Sequence, residues 1–513
     1  MPEWSAGYVA DIGYTYGTYP ELNPHRLRLA FLSARLTPPA VTTACELGFG
    51  QGLSVNIHAA ASNVAWHGTD FNPAQAGFAQ ELAAASGADV ALHDEAFAQF
   101  CSRTDLPEFD FIGLHGIFSW ISDENRRVVV DFIRRKLKVG GVLYISYNTQ
   151  PGWAAMAPVR DLLNEYATTM TPAGAGSAGR VGQSIAFAER LFATAPTFLT
   201  ANPRVASRFA KLKDQNHAYL AHEYFNRDWM PYSFSQMAGW LEPAKLDYAC
   251  SAHYLDNIDP INLTAEQRQL LGEIADPVFA QTVRDYMVNQ SFRRDYWVKG
   301  ARRLGAIERD EQLLRTRIVL TTPRADVPMK AAGRAGEVRL QAKVYEPLLD
   351  FLADQEAHTI GAFLEVARER HGLTSPQVVQ AVTMLVGMGH VATLQEEAVI
   401  AHAGPQARRL NQRLCELAMS NTELQWLALP GTGGAFPADR FHLLFLLARM
   451  RGAREPEAWA SFAHQVLVRQ GQRLMIDGKP AETDGHQLDR LVSRALEFRD
   501  KTLPLLARLG AVG

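Results

Sequence analysis

Cysteine is scarce: the 513-residue chain has four, Cys45, Cys101, Cys250 and Cys415. They stand too far apart to make Cys-x-x-Cys or a zinc spacing, so free buried thiols in a reducing compartment are expected, and no metal site. No apolar run reaches the ~18 residues a membrane-spanning helix needs, so no membrane insertion is expected. The opening Met-Pro-Glu-Trp-Ser lacks a basic start followed by an apolar stretch, which argues against a secretory signal and for a cytoplasmic location. No block of like charge occurs and the formal net charge is −3, so a nucleic-acid partner is not expected. What is present is ordinary for a globular chain with a large core: 47% hydrophobic and 20% charged residues. The length suits two to four domains at about 100–200 residues each. There is no internal repeat.

The most informative stretch is 41–52, in which a short apolar run ends in Glu46 and glycines follow at 48, 50 and 52. Residues 53–61 then read as a helix. A strand, a glycine turn and a helix N-terminus form a cradle for a nucleotide-like ligand, because glycine lets the backbone approach and the helix offers free N–H groups. The spacing Gly48-Phe49-Gly50-Gln51-Gly52 is not the Gly-x-Gly-x-x-Gly of dinucleotide binders, and Leu53 stands where those need a small residue. Glu46, two residues before the first glycine, points to S-adenosylmethionine (SAM). The partners agree. Asp70 closes a second strand (63–70) and can accept both ribose hydroxyls. Asp94, with Glu95 and Ala96 after a third strand (89–93), is placed to receive the adenine amino group, and Phe71 or Phe97 to stack on the ring.

A fourth strand (109–114) leads into His115. The following helix is capped by Ser122, with Asp123 and Glu124 in its first turn and Arg134, Arg135, Lys136 and Lys138 in its last; Gly140-Gly141 stops it. Residues 142–147 are a fifth strand. Alternating strands and helices predict a parallel sheet covered on both faces. The remaining helix and strands look delayed, at 233–241 and 246–254, with a seventh strand at 317–322 that closes the sheet. Helical insertions then occupy 151–230, including a Gly/Ala/Ser stretch at 173–179 expected to be mobile, and 260–312. Residues 323–337 read as a linker. Beyond it, helices at 345–352, 360–370 and 375–388 and a strand at 389–394 suggest a winged-helix-like module, followed by helices over 400–513. Gly431-Thr-Gly-Gly434 lacks the Lys-Ser/Thr of a phosphate loop and reads as a turn.

Five segments together carry a family resemblance. They are Tyr14-Thr-Tyr-Gly-Thr-Tyr19-Pro-Glu-Leu-Asn-Pro24, Glu46-Leu-Gly-Phe-Gly-Gln-Gly52, His115-Gly-Ile-Phe-Ser-Trp120, Ser146-Tyr-Asn-Thr-Gln-Pro-Gly-Trp153 and Tyr219-Leu-Ala-His-Glu-Tyr-Phe-Asn226. The chain resembles, over nearly its full length, the class I methyltransferases that carry a methyltransferase regulatory domain, including the rickettsial-type outer-membrane-protein lysine methyltransferases. The resemblance implies a Rossmann-like α/β sheet with helical regulatory or lid insertions within 41–322. It also implies an N-terminal arm (1–40) over the cofactor and a mostly helical, winged-helix-like region over 338–513.

On this reading Glu46, Gly48, Phe49, Gly50, Gly52, Asp70, Phe71, Asp94, Glu95, Ala96 and His115 contact SAM. Tyr14 and Tyr19, with Tyr16 beside them, close over it, their ring faces attracting a sulfonium or ammonium by roughly 0.5–2 kcal/mol. His115 and Tyr147, or its neighbour Asn148, face the transferred methyl, with Trp120 a wall of the pocket and His222 and Glu223 on the lid. The expected reaction is methyl transfer to a nucleophile, first a protein lysine amine, with the C-terminal module docking the substrate across an open groove. The alternatives are a small-molecule N- or O-acceptor under the helical lid, and a SAM-binding regulatory protein without catalysis.

Overall fold

The computed structural model describes residues 7–172, 174–476, 479–480 and 483–513. Residues 1–5, read above for the absence of a leader, and Ala173 of the small-residue stretch lie outside them.

A seven-stranded sheet organises the first 300 residues. Its strands are β1 (Thr43–Leu47), β2 (Ala65–Asp70), β3 (Val90–Asp94), β4 (Phe109–Leu114), β5 (Leu137–Asn148), β6 (Leu246–Ser251) and β7 (Phe292–Lys299). They run in the order β3-β2-β1-β4-β5-β7-β6, parallel except for β7, which pairs antiparallel with both neighbours. The strand order reverses between β1 and β4. That switch point opens a crevice at the strands' carboxyl ends, where open α/β sheets bind ligands. This is the Rossmann-like methyltransferase arrangement expected from the sequence. The helices Leu53–Ala60, Pro73–Ser86 and Asp123–Lys136 cover the faces, and Ser122 caps the last of them by accepting the Asn125 N–H.

Three expectations are corrected. The seventh strand is β7, not 317–322: Arg317–Leu320 pairs antiparallel with His358–Thr359 and Val391–Thr393 in a separate three-stranded sheet beside helices 342–351, 360–371 and 375–387. Residues 323–337 are not a plain linker, because Lys330–Gly333 and Gly336–Arg339 form a hairpin. The helix before β5 ends at Lys136 and the strand begins at once. Lys138 therefore sits in the strand, where its ammonium meets Asp110 at 2.9 Å.

Between β5 and β6 stand the helices of the first insertion, with a small core of their own around Trp153, Val181, Phe209 and Leu220. The long helix Glu397–Leu417 packs across the Leu53–Ala60 and Pro73–Ser86 helices, fixed by Arg413 to Glu81 and by Arg409 Nε to Ser86 O at 2.8 Å. The Gly431–Gly434 segment is the turn of a hairpin, Trp426–Leu429 with Gly434–Pro437, and Gly433 O lies 3.3 Å from His58 Nδ1. No helix among the described residues is long and apolar enough to cross a membrane.

Candidate active site

The loop after β1 is shaped by two glycines that no other residue could replace without a shift. Gly48 has φ +77°, and a Cβ there would lie 2.4 Å from Ile117 Cδ1. Gly52 has φ +67°, with its Cβ position 2.3 Å from Ala79 Cβ. L-residues avoid this region. Between them the Gly50 N–H donates to Asp70 Oδ2 at 2.9 Å, while the Asn72 N–H donates to Oδ1 at 3.0 Å. Burial pushes the Asp70 carboxyl up to about 6, Asp94 adding to the rise and the two N–H donors opposing it. Glu46, 2% exposed, has an Oε2 with no hydrogen-bond partner. Burial and the neighbouring Asp70 hold its carboxyl well above the usual range. A buried acceptor without a donor is costly unless a ligand supplies one, and the hydroxyls and ammonium of SAM are such donors.

The β2–β3 register sets Asp70 beside Asp94. Asp94 is exposed at the crevice edge, and Ile117 and Phe97 pack against Gly48 as the apolar side of the loop. Glu95 is turned away, paired with Arg103 at 2.7 Å, and Ala96 caps the short helix Phe97–Phe100. Phe49 turns its side chain away from the crevice. Its ring is buried in the core, 3.0 Å from where a Cβ on Gly68 would lie. Phe71 meets Tyr8 edge-on at 5.6 Å, so it belongs with the arm.

The arm crosses this crevice. Tyr14 O accepts from Gln51 Nε2 at 3.2 Å, Tyr19 N–H donates to Ser54 Oγ at 3.1 Å, and Val9 N–H donates to Asn226 Oδ1 of the insertion at 2.9 Å. Tyr19 stacks on His115, and Tyr14 and Tyr8 meet His222 with ring centroids 4.9 and 5.5 Å apart. Tyr16 instead packs on Phe78, away from the group.

His115 Nδ1 lies 2.7 Å from the Tyr144 hydroxyl. Burial lowers the imidazole to about 4, against the pull of Glu21 and with Arg294 adding to the fall, so the ring is neutral at pH 7. Tyr8, Tyr14, Tyr19, His115, Asn148 and Glu223 line one cavity of about 540 Å³, with Trp120 in its wall. Burial raises the Glu223 carboxyl to about 7, opposed by Asn148 and Arg160. The result is an aromatic cavity holding one carboxyl that can exchange a proton near neutrality.

Tyr147 does not reach this cavity, and that expectation is corrected. Side chains alternate along β5: Tyr144 and Ser146 face His115 and Gly116, and Asn148 lines the cavity, whereas Tyr147 points to the other face and its hydroxyl donates to Asp295 at 2.8 Å. Sequence reading missed Ile117, Tyr144, and the pair of buried Glu21 with half-buried Arg294 (2.8 Å) beneath His115. Glu21 lies inside the Tyr14–Pro24 motif; that was its only signal.

Residues 216–299 match the family model described as a predicted methyltransferase regulatory domain; the span begins at the cap of the Glu223 helix and ends with β7. The uncharacterized protein sll1526 of Synechocystis is 36% identical over 512 residues, 99% of each chain. The uncharacterized protein RP789 of Rickettsia prowazekii is 26% identical over 307 residues, 56% of this chain and 53% of that one. Among solved structures, PKMT2 from Rickettsia typhi in complex with AdoHcy shares the fold at a TM-score of 0.70 and 15% identity, covering 97% of this chain and 99% of that one. The chain belongs to the class I SAM-dependent methyltransferases that carry a methyltransferase regulatory domain.

Proposed function

We propose that this methyltransferase methylates a protein lysine amine. The observation that carries the reading is Glu223, a half-buried carboxyl poised near pH 7 in a cavity walled by Tyr8, Tyr14 and Tyr19. A lysine ammonium has an ordinary pKa of about 10.4 and must shed a proton before it can attack. The tyrosine faces attract the cation, and the carboxylate takes its proton. The fold shared with Rickettsia typhi PKMT2, solved in complex with AdoHcy, supports the cofactor part of this reading.

Bound SAM supplies an electrophilic methyl carbon on its sulfonium. Glu46 and Asp70 would hold its polar groups, Phe97 and Ile117 beside Gly48 would offer apolar contact to its base, and the arm would exclude water. Tyr19 and His115, locked together, would orient the acceptor amine toward the bound cofactor, where positioning supplies most of the advantage. Glu223 would hold the proton removed from the acceptor amine.

A second reading, a small-molecule amine acceptor, is favoured by one observation: the insertion helices, through Arg208, Lys211 and Tyr219, wall the cavity mouth. Incubation with methyl-labelled SAM and whole lysate separates the two. Label in the protein fraction, recovered as methyl-lysine after hydrolysis, is expected. Label confined to small molecules overturns the lysine reading.

A further inference from the structure

The cavity of Glu223 is electrically polarised along its depth. Three of its lining residues carry charge, Glu223, Arg208 and Lys211, since burial keeps His115 and His222 neutral at pH 7. Glu223 is half-buried and stands among buried neighbours, with Asn148 only 2% and His222 only 4% exposed. Lys211, Gln215 and Tyr219 are exposed and mark the mouth. The helix Pro203–Lys213 brings both cations there: Lys211 at the rim and half-buried Arg208 one turn earlier on the same face. The acid lies within and the cations guard the entrance.

Neither cation is neutralised: among the described residues no carboxylate lies within 4 Å of either. Arg208 Nη1 donates to Gly152 O at 2.7 Å, and its guanidinium lies 5.5 Å from the Trp153 ring centroid. Those contacts fix the group and leave its charge in place. Lys211 has no hydrogen bond or ion pair among the described residues, whereas Lys213 beside it is paired with Glu189. Two positive charges at the entrance oppose a bare lysine ammonium, and an anionic group arriving with it offsets that repulsion. An extended chain advances about 3.3 Å per residue. Residues one or two positions from the acceptor therefore stay at the mouth while the lysine side chain fills the cavity.

We propose that Arg208 and Lys211 select acceptor lysines that have an aspartate or glutamate one or two positions away in the substrate chain. The substrate carboxylate meets the two cations at the mouth, and the amine passes inward to Glu223. The inference rests on the reading that the acceptor is a protein lysine, and it names which lysines are taken. Both residues act on specificity: they touch the segment beside the acceptor and not the reacting atoms.

The test uses the full chain, SAM and three peptides capped at both ends, Gly-Ser-Xaa-Lys-Xaa-Ser-Gly, in which Xaa is glutamate, glutamine or arginine. The glutamate peptide is expected to exceed the glutamine peptide in kcat/KM by about threefold to tenfold, mainly through KM, with the arginine peptide below both. Added salt should compress the spread, because the mouth is open to solvent. Lys211→Gln, which removes only the charge, should narrow the ratio of glutamate to arginine peptide, and Lys211→Glu should bring it to about one or invert it. A ratio within one variant is blind to any general loss of activity. Equal kcat/KM for the three peptides, or a ratio that Lys211→Glu leaves unmoved, overturns the selection while the lysine reading stands. If no peptide accepts a methyl, the lysines labelled in lysate proteins decide. An excess of aspartate and glutamate within two positions of them supports the selection, and no excess overturns it. Label confined to small molecules sinks the lysine reading itself, and the selection with it.

Discussion

Tyr19 lies flat on His115, ring centroids 3.6 Å apart and planes within 19°. The arm and the end of β4 are joined at that contact, and Tyr144 holds the far side of the imidazole at 2.7 Å. His115→Ala removes the platform without touching Glu46 or Asp70. Turnover is expected to fall by about 10- to 100-fold, a typical cost of lost positioning, with the SAM Kd within about threefold of wild type by calorimetry. A larger loss of SAM affinity than of turnover would move His115 from orienting the acceptor to holding the cofactor.

Glu223 sets a pH dependence with a definite sign. Its folded carboxyl is raised from the ordinary 4.5 to about 7, so the folded state holds the proton more tightly than the unfolded state. The associated stability is complete below pH 4.5 and is lost as pH rises through 7. Above pH 7 the wild type carries an ionised, half-buried carboxylate, which Glu223→Gln removes. The variant is therefore expected to melt higher than wild type at pH 8, by roughly 3 kcal/mol in the limit, with the difference vanishing toward pH 4.5. Its amine turnover should drop by about 100-fold or more and lose the rise in rate near pH 7. A variant with wild-type turnover across this range would remove Glu223 from proton transfer.

Asp70 is held by the Gly50 and Asn72 N–H groups, so its orientation is fixed before a ligand arrives. Asp70→Ala removes charge-assisted hydrogen bonds to the ribose, each of about 1.5–3 kcal/mol. SAM affinity is expected to fall at least about tenfold, read by calorimetry on protein whose circular dichroism is unchanged. Unaltered binding would refute the placement of ribose at the end of β2.

Tyr147 supplies a control. Its hydroxyl donates to Asp295, which also accepts from Arg293 Nε at 2.8 Å. Tyr147→Phe leaves that second bond and should cost about 1–2 kcal/mol in stability. The kcat and KM should stay at wild-type values, since the side chain is on the opposite face from the cavity. A fall in kcat without a fall in melting temperature would restore Tyr147 to the site.

The glycine loop and its acids were legible because their signal is local: Glu46, Gly48, Gly50 and Gly52 fall within seven residues, and Asp70 and Asp94 each end an apolar run. β7 was illegible for the opposite reason. Phe292-Arg-Arg-Asp-Tyr-Trp-Val-Lys299 carries three successive charges, which reads as an exposed helix. In the fold those charges are neutralised by Glu21, 273 residues away, and by Asp285 and Asp295, so the segment is a buried strand with ions on both faces. Arg317–Leu320 has the better strand composition but is spent on a different sheet. Tyr147 and Asn148 differ only in the face each takes, and that parity depends on where β5 begins. Beginning at Leu137, directly after a helix, it gives no such cue.

Gly52 tests whether the loop is fixed by backbone conformation or by packing. Its φ is +67°, and an added Cβ would meet Ala79 Cβ at 2.3 Å and Ala79 Cα at 3.2 Å. Gly52→Ala therefore combines a left-handed non-glycine residue, about 1–2 kcal/mol, with overpacking of about 1–3 kcal/mol between the Leu53–Ala60 and Pro73–Ser86 helices. Ala79→Gly alone should cost about 1 kcal/mol, since glycine weakens a helix interior. It also removes the atom that an alanine at 52 would strike. If packing dominates, the double variant should be more stable than Gly52→Ala alone, with a coupling of about 1 kcal/mol or more in denaturant titration. If the two costs simply add, the strain lies in the backbone angle, and Gly52 is there for the turn alone.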